Sequence, residues 1–136
     1  MKVEGLVMAV VSNFEDLEIW QLARQQAIAI FELYSPESFS KDWGLKDQIN
    51  KSSGSVMDNI AEGFERSGNK EFCNFLLIAK GSNGEVRSQL CRAFDRNYIS
   101  PEKFETLKSN CITLSKKITS FVKYLKESDR KGFRYS

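Results

Sequence analysis

Ten cationic side chains in the second half of the chain are spaced to suit phosphate binding. Arg87, Arg92 and Arg96 recur at intervals of five and four; Lys116, Lys117, Lys123 and Lys126 follow, then Arg130, Lys131 and Arg134. Rows of guanidinium and ammonium groups can neutralise a nucleic-acid backbone, with an affinity that depends on salt. No aromatic residues interleave with them as stacking platforms, so such contacts would favour phosphates over base sequence. The same rows also read as ordinary solvated helix faces.

Other chemistry has less support. The 136 residues contain no histidine, which removes the usual general base and the commonest metal ligand. It also removes the Glu-x-x-His motifs of di-iron bundles. Cys73, Cys91 and Cys111 lie 18 and 20 residues apart without a Cys-x-x-Cys pair; an odd, widely spaced set suits neither a disulfide framework nor a zinc site. Reduced, mostly buried thiols fit better and imply a cytoplasmic protein. No catalytic, cofactor or metal site is expected, and the chain reads as a non-enzyme.

The small residues need their own account. Gly81-x-x-Gly84 could be a phosphate-gripping loop, but such loops need flanking strands, and this one lies inside a helical pattern. Counting back from a turn near residues 67–68 places Gly54 opposite Gly81 and Ser52–Ser53 opposite Ser82–Asn83. That predicts a seam where two helices approach closely, and a Glu85–Lys51 contact across it. Asn59 and Glu62, three apart, share a helix face. They read as a buried polar pair that sets register or as a solvated edge.

The elements carrying these residues follow from apolar spacing. Ser12 with Glu15 makes a capping box for a first helix in which Leu17, Trp20, Ala23, Ala27, Phe31 and Tyr34 form one stripe. Ile19, Leu22, Ile30 and Leu33 form a second, and Ser35-Pro36 ends the helix. After a loop, a second helix runs from Asp42–Leu45 to Arg66. Gly68 suits a left-handed stop and Asn69 an N-cap for a third helix to about Asn97. Ser100-Pro101 opens a fourth, whose Phe104, Leu107, Cys111, Leu114, Ile118, Phe121 and Leu125 form an unbroken seam. The fold class is all-α, an antiparallel up-down-up-down four-helix bundle over residues 12–127. Residues 1–11 read as a disordered appendage and residues 128–136 as a basic tail.

Charge is unevenly spread. Residues 1–37 carry two basic and six acidic side chains, and residues 66–136 fifteen basic and seven acidic. An acidic first helix and a basic fourth suit a head-to-tail contact between subunits, which closes into a ring. No segment reaches the ~18 apolar residues of a membrane span.

Four runs carry a family resemblance: FEDLEIWQLA at 14–23, GLKDQI at 44–49, SVMDNIAEGFERSGNKEF at 55–72 and FLLIAKGSNGEVRSQL at 75–90. Over residues 12–126 the chain resembles the bacterial four-helix bundle family encoded in intervening sequences of 23S ribosomal RNA genes. It is also similar to the accessory variability proteins of diversity-generating retroelements. The structural signature comprises Gly54, Gly81, Gly84 and Glu85 of the expected seam, together with Asn59, Glu62 and Gly63 of the NIAEG run that carries the resemblance. The resemblance implies a homopentameric ring, RNA or DNA as a partner, a reverse transcriptase as partner in the retroelement branch, and no enzymatic activity. Where the family commonly has two basic residues and two alanines before Ser55, this chain has Asn50-Lys51-Ser52-Ser53-Gly54, which weakens nucleic-acid binding at that patch.

The leading expectation is a ring-forming, non-enzymatic bundle that binds nucleic acid through its third and fourth helices. The rival is a protein-interaction scaffold with no nucleic-acid role.

Overall fold

The computed structural model describes residues 11–35 and 37–130. The expected appendage therefore lies outside the described residues except for Val11, which is buried in the core. The basic tail lies outside them beyond Arg130, including Lys131 and Arg134, and so does the side chain of Arg130.

Four long helices make the fold, and no strand occurs among the described residues. They are α1 (Glu18–Leu33), α2 (Trp43–Glu65), α3 (Asn69–Asp95) and α4 (Pro101–Arg130). Contacts run in opposite senses along neighbours. Between α3 and α4, Asn69 meets Leu125, Cys73 meets Val122, Asn83 meets Cys111 and Phe94 stacks on Phe104. Between α1 and α4, Glu18 meets Lys117 and Gln26 meets Cys111.

The α4 seam is as expected: all seven of its residues are buried. Its start is also as expected, with the Lys103 amide donating to Ser100 Oγ at 3.1 Å and Pro101 first in the helix. The helix carries on to Arg130, through the first residues assigned to the tail.

The first helix starts differently. The Ser12–Glu15 capping box does not form: a 3-10 turn, Phe14–Asp16, follows Asn13, and neither it nor α1 has a side-chain cap. Leu17 is the cause. It is buried, and its extended backbone separates the turn from the helix. The Gln21 side chain donates to Glu15 O at 2.9 Å and ties the two pieces together. The second apolar stripe faces the core through Ile19, Ile30 and Leu33, together with Ala23, whereas Phe31 of the first stripe faces out.

Two further expectations are corrected at the turns. The connection after α1 is not a plain loop but contains a helical turn, Glu37–Ser40. Its Phe39 is fully buried and stacks on Tyr98 at 5.0 Å. Between α2 and α3, Gly68 has φ 101° and is itself the N-cap, with Asn69 the first helical residue. Asn69 is buried and donates Nδ2 to Leu125 O at 3.2 Å, so its amide ties α3 to α4 rather than capping.

The glycine seam is overturned. A Cβ on Gly54, Gly81 or Gly84 would meet nothing within 4 Å. A serine pair bridges α2 and α3 instead, with Ser55 Oγ and Ser82 Oγ sharing a hydrogen bond of 2.8 Å; Ser52, Ser53 and Asn83 are buried too, but the Asn83 side chain turns to α1 and α4. The close approach lies one element-end away, at Gly63, where a Cβ would sit 2.7 Å from Phe75 Cβ and 3.3 Å from Phe72 O. Neither neighbouring atom can swing clear, since one is backbone and the other is bonded to it.

Asp42 anchors the start of α2. It accepts from the Leu45 amide at 3.3 Å, from Tyr98 Oη at 2.8 Å and from Arg96 Nη1 at 2.7 Å. These bonds hold its carboxyl below the usual carboxylate range, the Tyr98 hydroxyl first, against an opposing effect of burial; the Tyr98 phenol is pushed up in return.

Two stability measurements follow. Gly63→Ala should cost about 1–3 kcal/mol in chemical denaturation through overpacking, while Gly54→Ala should gain about 0.5–1 kcal/mol by stiffening the unfolded chain. Equal effects would mean that Gly63 has room. Because the folded Asp42 carboxyl titrates below its ordinary 3.8, its stabilisation is full above that value and is lost as pH falls through the folded pKa. Asp42→Asn should therefore cost about 1–2 kcal/mol at pH 7, with the gap to the parent closing below pH 4 in denaturation curves.

Candidate functional site

The predicted cationic residues separate into two groups. Arg92 and Arg96 are committed to structure: Arg92 Nη2 donates to Gln48 Oε1 at 2.7 Å, and Arg96 pairs with Asp42. Both tie α3 to α2. Lys117 pairs with Glu18 of α1 at 3.3 Å. Arg87, Lys116, Lys123 and Lys126 are exposed and make no ion pair among the described residues. Arg87 stands one turn after Asn83, whose side chain bonds to Cys111 of α4, so it lies on the side of α3 towards α4.

The free lysines share a face with hydroxyls. Once the apolar seam has claimed its side of α4, the exposed residues from 109 to 126 are Ser109, Asn110, Thr113, Lys116, Thr119, Ser120, Lys123 and Lys126. No carboxylate occurs in α4 between Glu105 and Glu127. At ~1.5 Å per residue this face runs for about 26 Å. Ammonium and hydroxyl groups without competing carboxylates form a donor surface. Residue types alone mark out the lysines, but the hydroxyls emerge only when the helix is read as the complement of its seam.

The patch before Ser55 contributes less. Lys51 pairs with Asp47 on its own helix at 3.1 Å, and Asn50 Oδ1 accepts from Tyr34 Oη at 3.1 Å. The expected Glu85–Lys51 ion pair is not made; Glu85 is exposed on α3. Asn59 and Glu62 also part company. Asn59 Nδ2 donates to Ser55 O and Ser55 Oγ, both at 2.9 Å, and Ser55 reaches Ser82 on α3. Glu62 pairs with Arg66 at 2.7 Å on the surface. Asn59 thus holds Ser55, whose hydroxyl bridges α2 and α3, and Glu62 is the solvated edge.

Two apolar surfaces are less legible in the sequence. On α1, Ile28 is 50% and Phe31 62% exposed, and Trp43 at the start of α2 is 72% exposed. Lys46 Nζ lies 4.5 Å from the Trp43 ring centroid. On α3, Leu77 is 49% and Ile78 52% exposed, followed by the open Gly81 and Gly84. No group of three or more His, Cys, Asp or Glu side chains suited to a metal occurs among the described residues, and no described helix is long and apolar enough to cross a membrane.

A family model described as 23S rRNA-intervening sequence protein matches residues 15–120. Among solved structures, the chain is similar to a protein of unknown function from the S23 ribosomal protein family of Bacteroides thetaiotaomicron. The TM-score is 0.72 and the identity 24%, over 77% of this chain and 98% of that one. At that identity the likeness shows the fold. No curated protein matches the sequence.

Proposed function

This chain belongs to the 23S rRNA-intervening sequence protein family, and from that membership and the geometry above we propose a non-enzymatic, self-assembling bundle that binds nucleic-acid backbone through α4. The observation that carries the reading is the donor face from Ser109 to Lys126, with Lys116, Lys123 and Lys126 free of carboxylate partners among the described residues. Lysine, serine, threonine and asparagine side chains are the usual partners of phosphate oxygens, and such contacts position a duplex or strand without reading its sequence. Arg87 extends the face from α3. Arg92 and Arg96 leave the proposed interface, because their guanidinium groups already hold α2.

Assembly rests on a different observation. The apolar corner at Ile28, Phe31 and Trp43 and the apolar stripe at Leu77 and Ile78 lie on different helices. A surface that meets a different surface of the next copy gives head-to-tail contacts, which close into rings when the rotation allows. The open Gly81 and Gly84 leave room on α3 for another backbone to approach. The five-membered ring implied by the family resemblance is the assembly expected. These apolar surfaces equally favour the second reading, a protein-interaction scaffold without a nucleic-acid role.

Filter binding to an RNA or DNA duplex separates the two. Affinity should fall steeply between about 50 and 200 mM salt. Changing Lys116, Lys123 and Lys126 to Glu should abolish binding, and each neutralisation to Gln should lower the salt slope by about one. Loss of binding with an unchanged circular dichroism spectrum supports the reading; absence of binding even at low salt leaves the scaffold. Light scattering after chromatography tests assembly: Phe31→Glu and Leu77→Glu should each reduce the oligomer to a monomer. An oligomer that survives both changes assembles through other surfaces.

A further inference from the structure

The hydroxyls of the α4 face say more about the partner than its lysines do. Ser109, Thr113, Lys116, Ser120 and Lys123 follow one another at intervals of four, three, four and three, which sets them in one row along the helix, with Thr119 and Lys126 beside it. The row is about 21 Å long at ~1.5 Å per residue. Ser109, Thr113, Thr119 and Ser120 are exposed, and none of their hydroxyls has a hydrogen-bond partner among the described residues. Ser35 Oγ and Ser53 Oγ, by contrast, donate to the Phe31 and Asn50 carbonyls one turn earlier. Serine and threonine are also weaker helix formers than the lysine, glutamine or alanine that suit a solvated position.

A phosphate oxygen only accepts. It suits an ammonium group fully but uses half of what a hydroxyl offers, since a hydroxyl both donates and accepts. The ribose 2′-hydroxyl has the same double character, and it is what tells RNA from DNA. Double-stranded RNA presents phosphates and 2′-hydroxyls together across a wide, shallow minor groove, while its major groove is too deep and narrow for side chains to read. A row in which hydroxyls stand between lysines matches that surface. DNA admits a helix into its major groove, where arginine, asparagine and glutamine make the paired contacts to base edges. The exposed face of α4 from Ser109 to Lys126 has one asparagine, Asn110, and neither of the others. Single strands are held by aromatic stacking. Tyr124 of α4 is half-buried and stacked on Phe121 at 6.2 Å, and the exposed rings of Phe31 and Trp43 belong to α1 and α2.

We propose that α4 binds double-stranded RNA across its minor groove, with the lysines on phosphates and the hydroxyls of Ser109, Thr113, Thr119 and Ser120 on ribose 2′-hydroxyls. The inference rests on the backbone-binding reading of α4 and narrows it to one class of nucleic acid. Lys116 and Lys123 stand about 10 Å apart along the helix axis, so they reach separate phosphates, and the hydroxyls between and before them meet the sugars. Contacts of this kind recognise the shape and sugar of the duplex and are indifferent to its base sequence.

Four probes test this by fluorescence anisotropy with the full chain at about 100 mM salt. They are an RNA duplex of about 16 base pairs, the DNA duplex of the same sequence, and a single strand of each. The RNA duplex should bind tighter than the DNA duplex by about tenfold, and the single strands more weakly than either. Changing Ser109, Thr113 and Ser120 together to Ala alters no charge and favours the helix. It should lower the affinity for the RNA duplex by about tenfold, close the gap to DNA, and leave the salt slope as in the parent. Equal affinities for the two duplexes, a single strand bound as tightly as the RNA duplex, or a gap that survives the alanine changes would overturn the proposal while the backbone-binding reading stands. No binding of any probe even at about 50 mM salt overturns both. If the variant loses helicity by circular dichroism, the order of the four affinities in the parent chain decides.

Discussion

Asn83 holds three of the four helices at one height. Its Oδ1 accepts from Gln26 of α1 and its Nδ2 donates to the Cys111 carbonyl of α4, while its own backbone belongs to α3. Apolar side chains can slide past one another at small cost, but a buried amide has partners at fixed positions and loses them with any shift of register. Moving α4 by one turn relative to α3 would strand both the asparagine and the glutamine. The apolar seam from Phe104 to Leu125 decides which face of α4 lies inward, and this contact fixes the height at which Lys116, Lys123 and Lys126 stand in water. The hairpin of α2 and α3 has its own polar bridge, the Asn59–Ser55–Ser82 chain. Gly63 then lets the two backbones close near the turn.

The ends of the bundle are organised by different physics. At one end, Phe39 fills the base and stacks on Tyr98, whose hydroxyl reaches Asp42. Asp42 caps α2 and accepts the Arg96 guanidinium as well, so one carboxylate joins α2 to the end of α3. Asn97, with φ 63°, turns the chain there into α4. At the other end, Asn69 and Gly68 make the tight reversal, and the asparagine amide bonds across to Leu125. Polar groups thus fasten the places where helices end, as Asn83 and Ser82 fasten the middle of the bundle, and apolar seams fill the spans between them.

How much of this was legible in the sequence depended on how local the deciding interaction is. The α4 seam was fully legible, because seven apolar residues at spacings of three and four admit one buried face. The α3–α4 turn was legible for a similar reason, since Ser100-Pro101 acts within its own helix. The Ser12–Glu15 cap failed because Leu17, claimed by the core, broke the helix between cap and body. The two stripes of α1 were legible but not their orientation, since a helix apolar on two sides carries no local sign of which side is inward. Asn69 failed as a cap because a carbonyl on α4, 56 residues away, took its amide. The glycine seam failed by a small rotation: the facing register was nearly right, but serines lie in the contact and the glycines sit beside it. Gly63, known only as part of a recurring motif, acquires a reason in the Phe72 and Phe75 backbone that crosses it. Arg92 and Arg96 could not be told from Lys116 and Lys123 by type or spacing; Gln48 and Asp42, distant in sequence, made the difference.

That last distinction bears on how charge is used in the fold. Arginine, with a planar fork of donors, serves where a side chain must reach another helix and hold a fixed geometry. Arg92 and Arg96 do this between α3 and α2, and Arg66 does it within α2. Among the described side chains, the unpaired cations of α4 are lysines, whose compact ammonium groups suit mobile contacts with an exposed anion. The acidic residues show a matching separation. Asp42, Asp47, Glu18 and Glu62 all lie on α1 or α2 and are taken up by cations, whereas α4, beyond a Glu105–Lys108 pair near its start, has no carboxylate before Glu127 to answer its lysines. Internal pairing thus consumes charge on one side of the bundle and leaves it unspent on the other. A net charge of only +2 therefore conceals a polarised molecule, and it is that local excess that an anionic partner would meet.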